Sequence, residues 1–461
     1  MDNPNFTSPS ADFITFGSPR IEREEIDEVV RCLESGWIGT GPRVAQFEGE
    51  FAAYKQARYA AAVASCTAAM HLSVLAAGIG EGDEVITTPL TFCATVNAII
   101  HAGATPVLAD VDPRTMNIDP FEVEARITLK TKAILPVHFA GRACDMEALS
   151  AITRRCGLKL IEDCAHAIET EYRGRPAGTF GDFGCFSFYA TKNVTTGEGG
   201  MVLAGSEEDL ARIKMLALHG MSKDAWKRFS DEGYRHYFVV ETGFKYNMMD
   251  LQAALGIHQL RRVESNWKRR EKIWETYNEA FADLPLTLPA EPEPETRHAY
   301  HLYTILVDEA RAGISRDAFL EAMTERNVGV GVHYLSIPEH PVYQQKFGWR
   351  PEDYPNAMRI GRQTVSLPLS AKLTDEEVSR VIEAVAEEML SAKSKGQRAA
   401  GKEMLSAKSK GQRAAGKAQS ESAKSQALSA KSKARRVKSK GQTANSKERT
   451  VEAVELLALS S

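Results

Sequence analysis

No CxxC pair occurs in this chain, and its seven cysteines (Cys32, Cys66, Cys93, Cys144, Cys156, Cys164, Cys185) are scattered and odd in number. That spacing argues against a structural zinc site and predicts reduced thiols rather than a disulfide framework. No metal is expected at His333 and His340 either, since Pro338 lies between them and a third ligand is missing. The opening residues, Met1 to Phe6, have neither the basic start nor the apolar core of a signal peptide, which predicts a cytoplasmic protein. The glycosylation sequons at Asn5 and Asn193 therefore carry no weight. Long apolar runs are also scarce. The one charge-free stretch, Tyr59 to Gly80, includes Ser65, Cys66, Thr67, His71 and Ser73, and so predicts a buried helix with a polar entry turn rather than a membrane span.

With 461 residues, 43% of them hydrophobic and 26% charged, the chain has length for one large or two medium domains. The net charge of −4 hides a division. Residues 1–390 carry −16, whereas 17 Lys and Arg against 3 acidic residues give Ser391–Thr450 a charge of +14. Within that basic segment, the fifteen residues from Glu388 to Lys402 recur unchanged as 403–417. Its Lys, Ser, Ala, Gln and Gly offer little apolar surface to offset ordering entropy, which predicts a disordered tail over 391–461. Nucleic-acid binding is not expected of it, because no aromatics are interleaved to stack on bases. Val451 to Leu459 forms a short amphipathic pattern with no assigned function.

The body alternates strand and helix patterns. A helix is predicted over Glu22–Ser35, from Ile26, Val29, Val30 and Leu33 at helical spacing. Short β runs follow at Glu84–Thr88, Pro106–Ala109, Ala133–Val137 and Lys159–Glu162, with helical segments such as Ala94–His101 and Met146–Arg155 between them. This rhythm predicts a parallel sheet covered on both faces. Polar residues at three strand ends, His138, Asp163 and Lys192, stand where ligands bind such sheets. A helical section over Asp250–Ala282 precedes a smaller α+β unit. Its expected elements are strands at Tyr300–Val307, Gly329–Tyr334 and Thr364–Leu369, and helices at Ser315–Arg326 and Asp375–Glu388.

The densest chemical signal is Phe186-Ser-Phe-Tyr-Ala-Thr-Lys192, an aromatic run ending in a lysine before a Gly-rich turn. An isolated lysine there is ordinarily a solvated residue. One near buried apolar groups loses proton affinity and becomes a nucleophile toward a carbonyl. Upstream, Leu160-Ile-Glu-Asp163-Cys-Ala-His166 ends another apolar strand in a carboxylate and an imidazole.

Together with Gly36–Pro42, Gly82–Thr87, Gly103–Val107, Pro136–Gly141, Gly243–Ala254 and Val365–Leu369, these segments resemble the DegT/DnrJ/EryC1/StrS family of nucleotide-sugar aminotransferases. The likeness covers about residues 14–388 and implies the α/β fold-type I pyridoxal phosphate (PLP) architecture. It implies a large cofactor domain over 1–265, a small C-terminal α+β domain over 266–390 and a tail outside the likeness. Lys192 would form the imine with the cofactor aldehyde and then serve as the base that moves a proton. Asp163 would sit beneath the pyridine nitrogen, His166 against the ring or its phenolic oxygen, and Phe92 stacked on the ring. Thr67 and Ala68 at a helix start, with Ser187, would hold the phosphate. Asn247 would reach the site of the neighbouring subunit, implying a homodimer.

Tyr189 stands where the family often has histidine, while Cys66 and Cys164 replace small residues. With His219 and His333, Tyr189 is a candidate substrate contact. The implied reaction moves an amino group from L-glutamate to a nucleotide-linked 4-keto sugar, a UDP-4-keto-pentose or a 4-keto-6-deoxy-hexose, for cell-surface polysaccharide or lipid A. The finer resemblance, carried by residues 136–141, 298–302 and 313–318, is to enzymes that make UDP-4-amino-4-deoxy-L-arabinose. The alternatives are a 3-keto-sugar aminotransferase and a regulatory PLP-fold protein with a nucleic-acid-binding tail.

Overall fold

The computed structural model describes residues 12–222 and 236–455. The Asn5 sequon and the end of the C-terminal apolar segment, 456–461, lie outside these residues. Two compact units are formed, Met1–Ala392 and Lys393–Ser461.

Twelve strands occur among the described residues of the body: β1 Tyr59–Val63, β2 Glu84–Thr87, β3 Thr105–Leu108, β4 Thr131–Leu135, β5 Lys159–Asp163, β6 Glu171–Tyr172, β7 Arg175–Pro176, β8 Phe183–Ser187, β9 Gly200–Ala204, β10 Thr296–Arg297, β11 Tyr303–Leu306 and β12 Thr364–Leu367. Seven form one sheet in the order β1-β9-β8-β5-β4-β2-β3. It is parallel from β8 across to β3, and β9 runs antiparallel to both β8 and β1.

Both faces of this sheet are buried, so its strands read as nearly continuous apolar runs. The side-chain period of two divides each strand between two cores. Ala61, Val63, Phe183, Cys185 and Val202 pack on one face, against the helix Cys66–Ala76. Ala60, Ala62, Phe186, Met201 and Leu203 pack on the other, with Phe47, Phe51 and Ile257. At the start of β9 a Cβ on Gly200 would lie 2.5 Å from the Ser65 carbonyl carbon. Glycine at 200 is what allows this strand to pass directly beneath the first turn of that helix.

A separate core gathers around the antiparallel pair β11–β12, where Tyr303 faces Leu367 and Leu306 faces Thr364. Trp274, Tyr277 and Phe281 of the helix Val263–Phe281 pack there with Phe319, Val381 and Met389. The boundary expected at 265/266 thus falls inside that helix.

The structure corrects three sequence expectations. Tyr59–Gly80 is β1 followed by the helix Cys66–Ala76, because β1 pairs along its whole length with β9. Gly329–Tyr334 forms no strand; Gly331 makes one isolated bridge to Ser366, and farther along the Ile337 N–H donates to the Pro89 carbonyl just after β2. The final helix runs Asp375–Glu455, through the tail expected to be disordered. That tail has no proline and is rich in Ala, Lys, Arg and Gln, all good helix formers. Backbone propensity therefore favours the helix although residues 410–439 are exposed throughout, with no apolar face to bury. Among the described residues no helix is long and apolar enough to cross a membrane.

Candidate active site

A cavity of about 430 Å³ opens at the carboxyl ends of the parallel strands. Asp163 ends β5, whereas Lys192 lies beyond the end of β8, in a turn where its N–H donates to the Tyr189 carbonyl at 2.9 Å. Both line the cavity, together with Thr67, Phe92, His166, Ser187, Tyr189 and His333.

Asp163 is 3% exposed and held from two sides. Its Oδ1 accepts the Ala165 N–H at 3.0 Å and its Oδ2 accepts the Thr95 hydroxyl at 2.8 Å. Thr95 in turn lies 2.7 Å from the Thr91 hydroxyl. Burial raises the Asp163 carboxyl above its usual range, against the lowering pull of these two donors, Lys192 and His138. Lys192 is affected in the converse sense. Burial lowers its ammonium to about 8, opposed by Cys66 and Asp163. An amine and a carboxylate in one pocket are each pushed toward the uncharged state.

Hydrogen bonds fix the protonation of His166. Its Nδ1 accepts the Ala140 N–H at 3.2 Å, so the ring proton sits on Nε2 and is donated to the Tyr334 hydroxyl at 3.0 Å. Burial, with Lys192 and His333, drives this imidazole well below its ordinary pKa, and it stays neutral. The two rings stack at 6.1 Å, and Phe92 meets Tyr334 at 5.8 Å. His333 is brought to about 4 by burial and by Lys192, and its Nδ1 lies 2.9 Å from the Ser366 hydroxyl.

The helix Cys66–Ala76 points its N-terminus at the cavity. Its first turn leaves N–H groups without internal partners. Ser65 caps the helix and its Oγ accepts the Ala68 N–H at 3.1 Å. Ala68 is thereby satisfied and does not line the cavity, which corrects its expected place. Cys66 and Thr67, in the first turn of the helix, line the cavity together with Ser65 and Ser187.

His219 is also absent from this cavity, and Asn247, expected at the neighbouring subunit's site, lies outside the cavity of its own chain. His219 is exposed, with a φ of 56°, and its N–H donates to the Phe244 carbonyl. Asn247 lines a different pocket of about 370 Å³, beside Trp37, Ala61 and Leu218. Its Nδ2 donates to the Thr40 hydroxyl at 2.6 Å, and its buried Oδ1 has no hydrogen-bond partner. Conversely, Ser65, Thr95 and Tyr334 were not singled out from the sequence. The signal for Ser65 was an N-cap pattern in the polar entry turn where the helix was expected to open, and Tyr334 simply follows His333.

His138, Glu162 and Cys164 place ligand atoms within 4.8 Å of one another. These groups are already engaged. Glu162 accepts the N–H groups of Gly178, Phe180 and Gly181, and His138 Nδ1 accepts that of Cys144, which leaves its Nε2–H to bond Glu162 at 3.1 Å. The cluster braces β5 under Asp163.

Residues 19–386 match the DegT/DnrJ/EryC1/StrS aminotransferase family. The chain is 51% identical over 374 residues to the spore coat polysaccharide biosynthesis protein SpsC of Bacillus subtilis (strain 168), covering 81% of this chain and 96% of SpsC. Among solved structures it resembles Spr1654 of Streptococcus pneumoniae, a candidate sugar aminotransferase seen in its PMP form, with TM-score 0.78 and 33% identity over 84% of this chain and 100% of that one. It also resembles Helicobacter pylori PseC, an aminotransferase involved in the biosynthesis of pseudoaminic acid, with TM-score 0.76 and 29% identity over 82% of this chain and 100% of PseC.

Proposed function

This chain belongs to the DegT/DnrJ/EryC1/StrS aminotransferase family and is a PLP-dependent sugar aminotransferase, and from that premise we propose that it moves the amino group of L-glutamate to a nucleotide-linked 4-keto sugar. The observation that carries the reading is the pairing, in one cavity, of a desolvated amine with a buried carboxylate held by two donors.

The residues present fit PLP. A carboxylate at the end of β5 suits a protonated ring nitrogen, and Lys192 suits an aldehyde. The N–H groups of Cys66 and Thr67, with the hydroxyls of Thr67 and Ser187, suit a phosphate at a helix N-terminus. When bound, PLP supplies the electron sink that makes the carbon beside the substrate amine acidic.

The protein's own part is to hold and move protons. Lys192 Nζ, lowered to about 8, is available as a free base to take a proton from the donor and return one to the acceptor. Asp163 remains fixed by Ala165 and Thr95, so its negative charge is aimed at one position in the cavity. His166, held neutral, adds no charge to the cavity and fixes the direction of the Tyr334 hydroxyl. At the mouth, Tyr189 and His333 are positioned to meet the sugar.

We read Asn247 as serving a second copy of the chain. Its unpartnered Oδ1 lies outside its own Lys192 cavity, and the nearby Trp37, Ile38 and Met249 are 49%, 47% and 45% exposed, a surface suited to a homodimer. The name of SpsC supports a product destined for a polysaccharide of the cell surface.

The test is a two-stage titration. L-Glutamate should convert the cofactor absorbance of the purified enzyme, and one member of a panel of nucleotide 4-keto and 3-keto sugars should restore it. Restoration by 3-keto sugars alone would move the ketone position, and no response to glutamate would remove the assigned donor.

A further inference from the structure

Beneath the cavity lies a buried polar chain to which the steps above assign no role. Asn193 directly follows Lys192. Its Nδ2 donates to both carboxylate oxygens of Glu169, at 3.0 and 2.8 Å, and to the Ala299 carbonyl at 2.9 Å. With Nδ2 so committed, Asn193 Oδ1 must be the acceptor facing His301 Nδ1 at 2.9 Å, and the His301 proton sits on Nδ1. The His301 ring then lies 4.4 Å from the ring of His166. Glu169, Asn193 and His301 are 1%, 5% and 5% exposed.

Such a depth is unfavourable for a carboxylate, and simple packing would be met by an apolar side chain. Burial raises the Glu169 carboxyl to about 7, against Arg270, the Asn193 hydrogen bond, its own backbone and Arg297. The charged and titratable groups around it come from three elements: Arg270 of the helix Val263–Phe281, Arg297 of β10, and Tyr54 with Lys55 at the end of the helix Pro42–Tyr54. Lys55 Nζ also donates to the Ile168 carbonyl at 2.7 Å. Without the two oxygens of Glu169, the Asn193 amide keeps one acceptor, the Ala299 carbonyl, and its orientation toward His301 is no longer enforced.

Resting on the reading that Lys192 holds PLP, we propose that Glu169 is a positioning residue, which through Asn193 fixes the backbone carrying the Lys192 amine and through His301 fixes the face presented to His166. The chain of contacts runs from a buried carboxylate to the two groups that meet the cofactor, and it ends at the cavity wall.

The full-length enzyme loaded with PLP provides the test, by pH titration of the absorbance of the Lys192-bound cofactor. Glu169→Ala should still bind PLP but displace the titration midpoint by about one pH unit. It should also lower kcat roughly tenfold while KM for glutamate stays within about twofold. Glu169→Gln, which keeps one acceptor for Asn193, should recover most of both. A wild-type midpoint and kcat in Glu169→Ala would overturn the proposal. Should that variant fail to fold, His301→Phe keeps a ring and removes the donor to Asn193; a displaced midpoint then supports the proposal and an unchanged one overturns it. Failure of the underlying reading looks different: borohydride would then fix no PLP onto Lys192 of the wild-type chain.

Discussion

Asp163 and Ser187 at the floor of the cavity are 3% and 6% exposed, whereas Phe92 and Tyr189 at its rim are 56% and 47% exposed. The floor groups are tied to the sheet and to capped turns by hydrogen bonds with several partners. The exposed Phe92 side chain, by contrast, is held by its ring contact with Tyr334. Floor residues therefore have directions set before any ligand arrives, which is what electrostatic catalysis needs. Rim residues can yield to the shape of a sugar. The division assigns reaction chemistry to the floor and acceptor choice to the rim.

The hardest test of the division is at the floor. Lys192→Ala should reduce turnover by about 10³-fold or more and abolish borohydride trapping of the cofactor, with rim contacts intact. In the cofactor-free wild type, the Lys192 amine should be neutral above about pH 8, so its modification by an amine reagent should reach half-maximal rate near that pH and slow below it. A half-point near the ordinary lysine value, about 10.4, would show that the floor is wet.

Thr95→Ala is gentler. It takes one donor from the Asp163 carboxylate, whose pKa then rises further, so the charged form is lost at higher pH as the solution is acidified. The acid limb of kcat should move up by about one pH unit, and thermal unfolding should report a loss of about 1 kcal/mol. At the rim, Tyr189→Ala should raise KM for the sugar about three- to tenfold with kcat nearly unchanged. A large fall in kcat there would break the division. Ending the chain at Ala392 should alter neither constant by more than about twofold, because residues 410–439 bury nothing.

Much of the sheet was legible because its signal is local. Apolar runs at Glu84, Thr105, Thr131 and Lys159 begin within two residues of their expected places, and the helices at Met146 and Cys93 likewise. Gly329–Tyr334 was misread because strand propensity says nothing about whether an edge is available to pair. The tail was misread because missing hydrophobic surface and good helix propensity point in opposite directions. Lys192 and Asp163 were legible from their motifs, but the fixed tautomer of His166 depends on Ala140 and Tyr334, the latter 168 residues away. The Asn193–His301 contact spans 108 residues and leaves no local trace.

Strand β8 has a consequence for how such enzymes diverge. Phe183 and Cys185 are committed to one core, Phe186 to the other, and Ser187 to the cavity, so mutation along it has almost no neutral direction. Selection for a new acceptor is left to the exposed positions downstream, such as Tyr189, where change disturbs little packing. An ancestral protein could thus have exchanged sugars while its strand stayed fixed, and inherited novelty would accumulate in a few solvent-facing codons beside an almost immobile stretch of sequence.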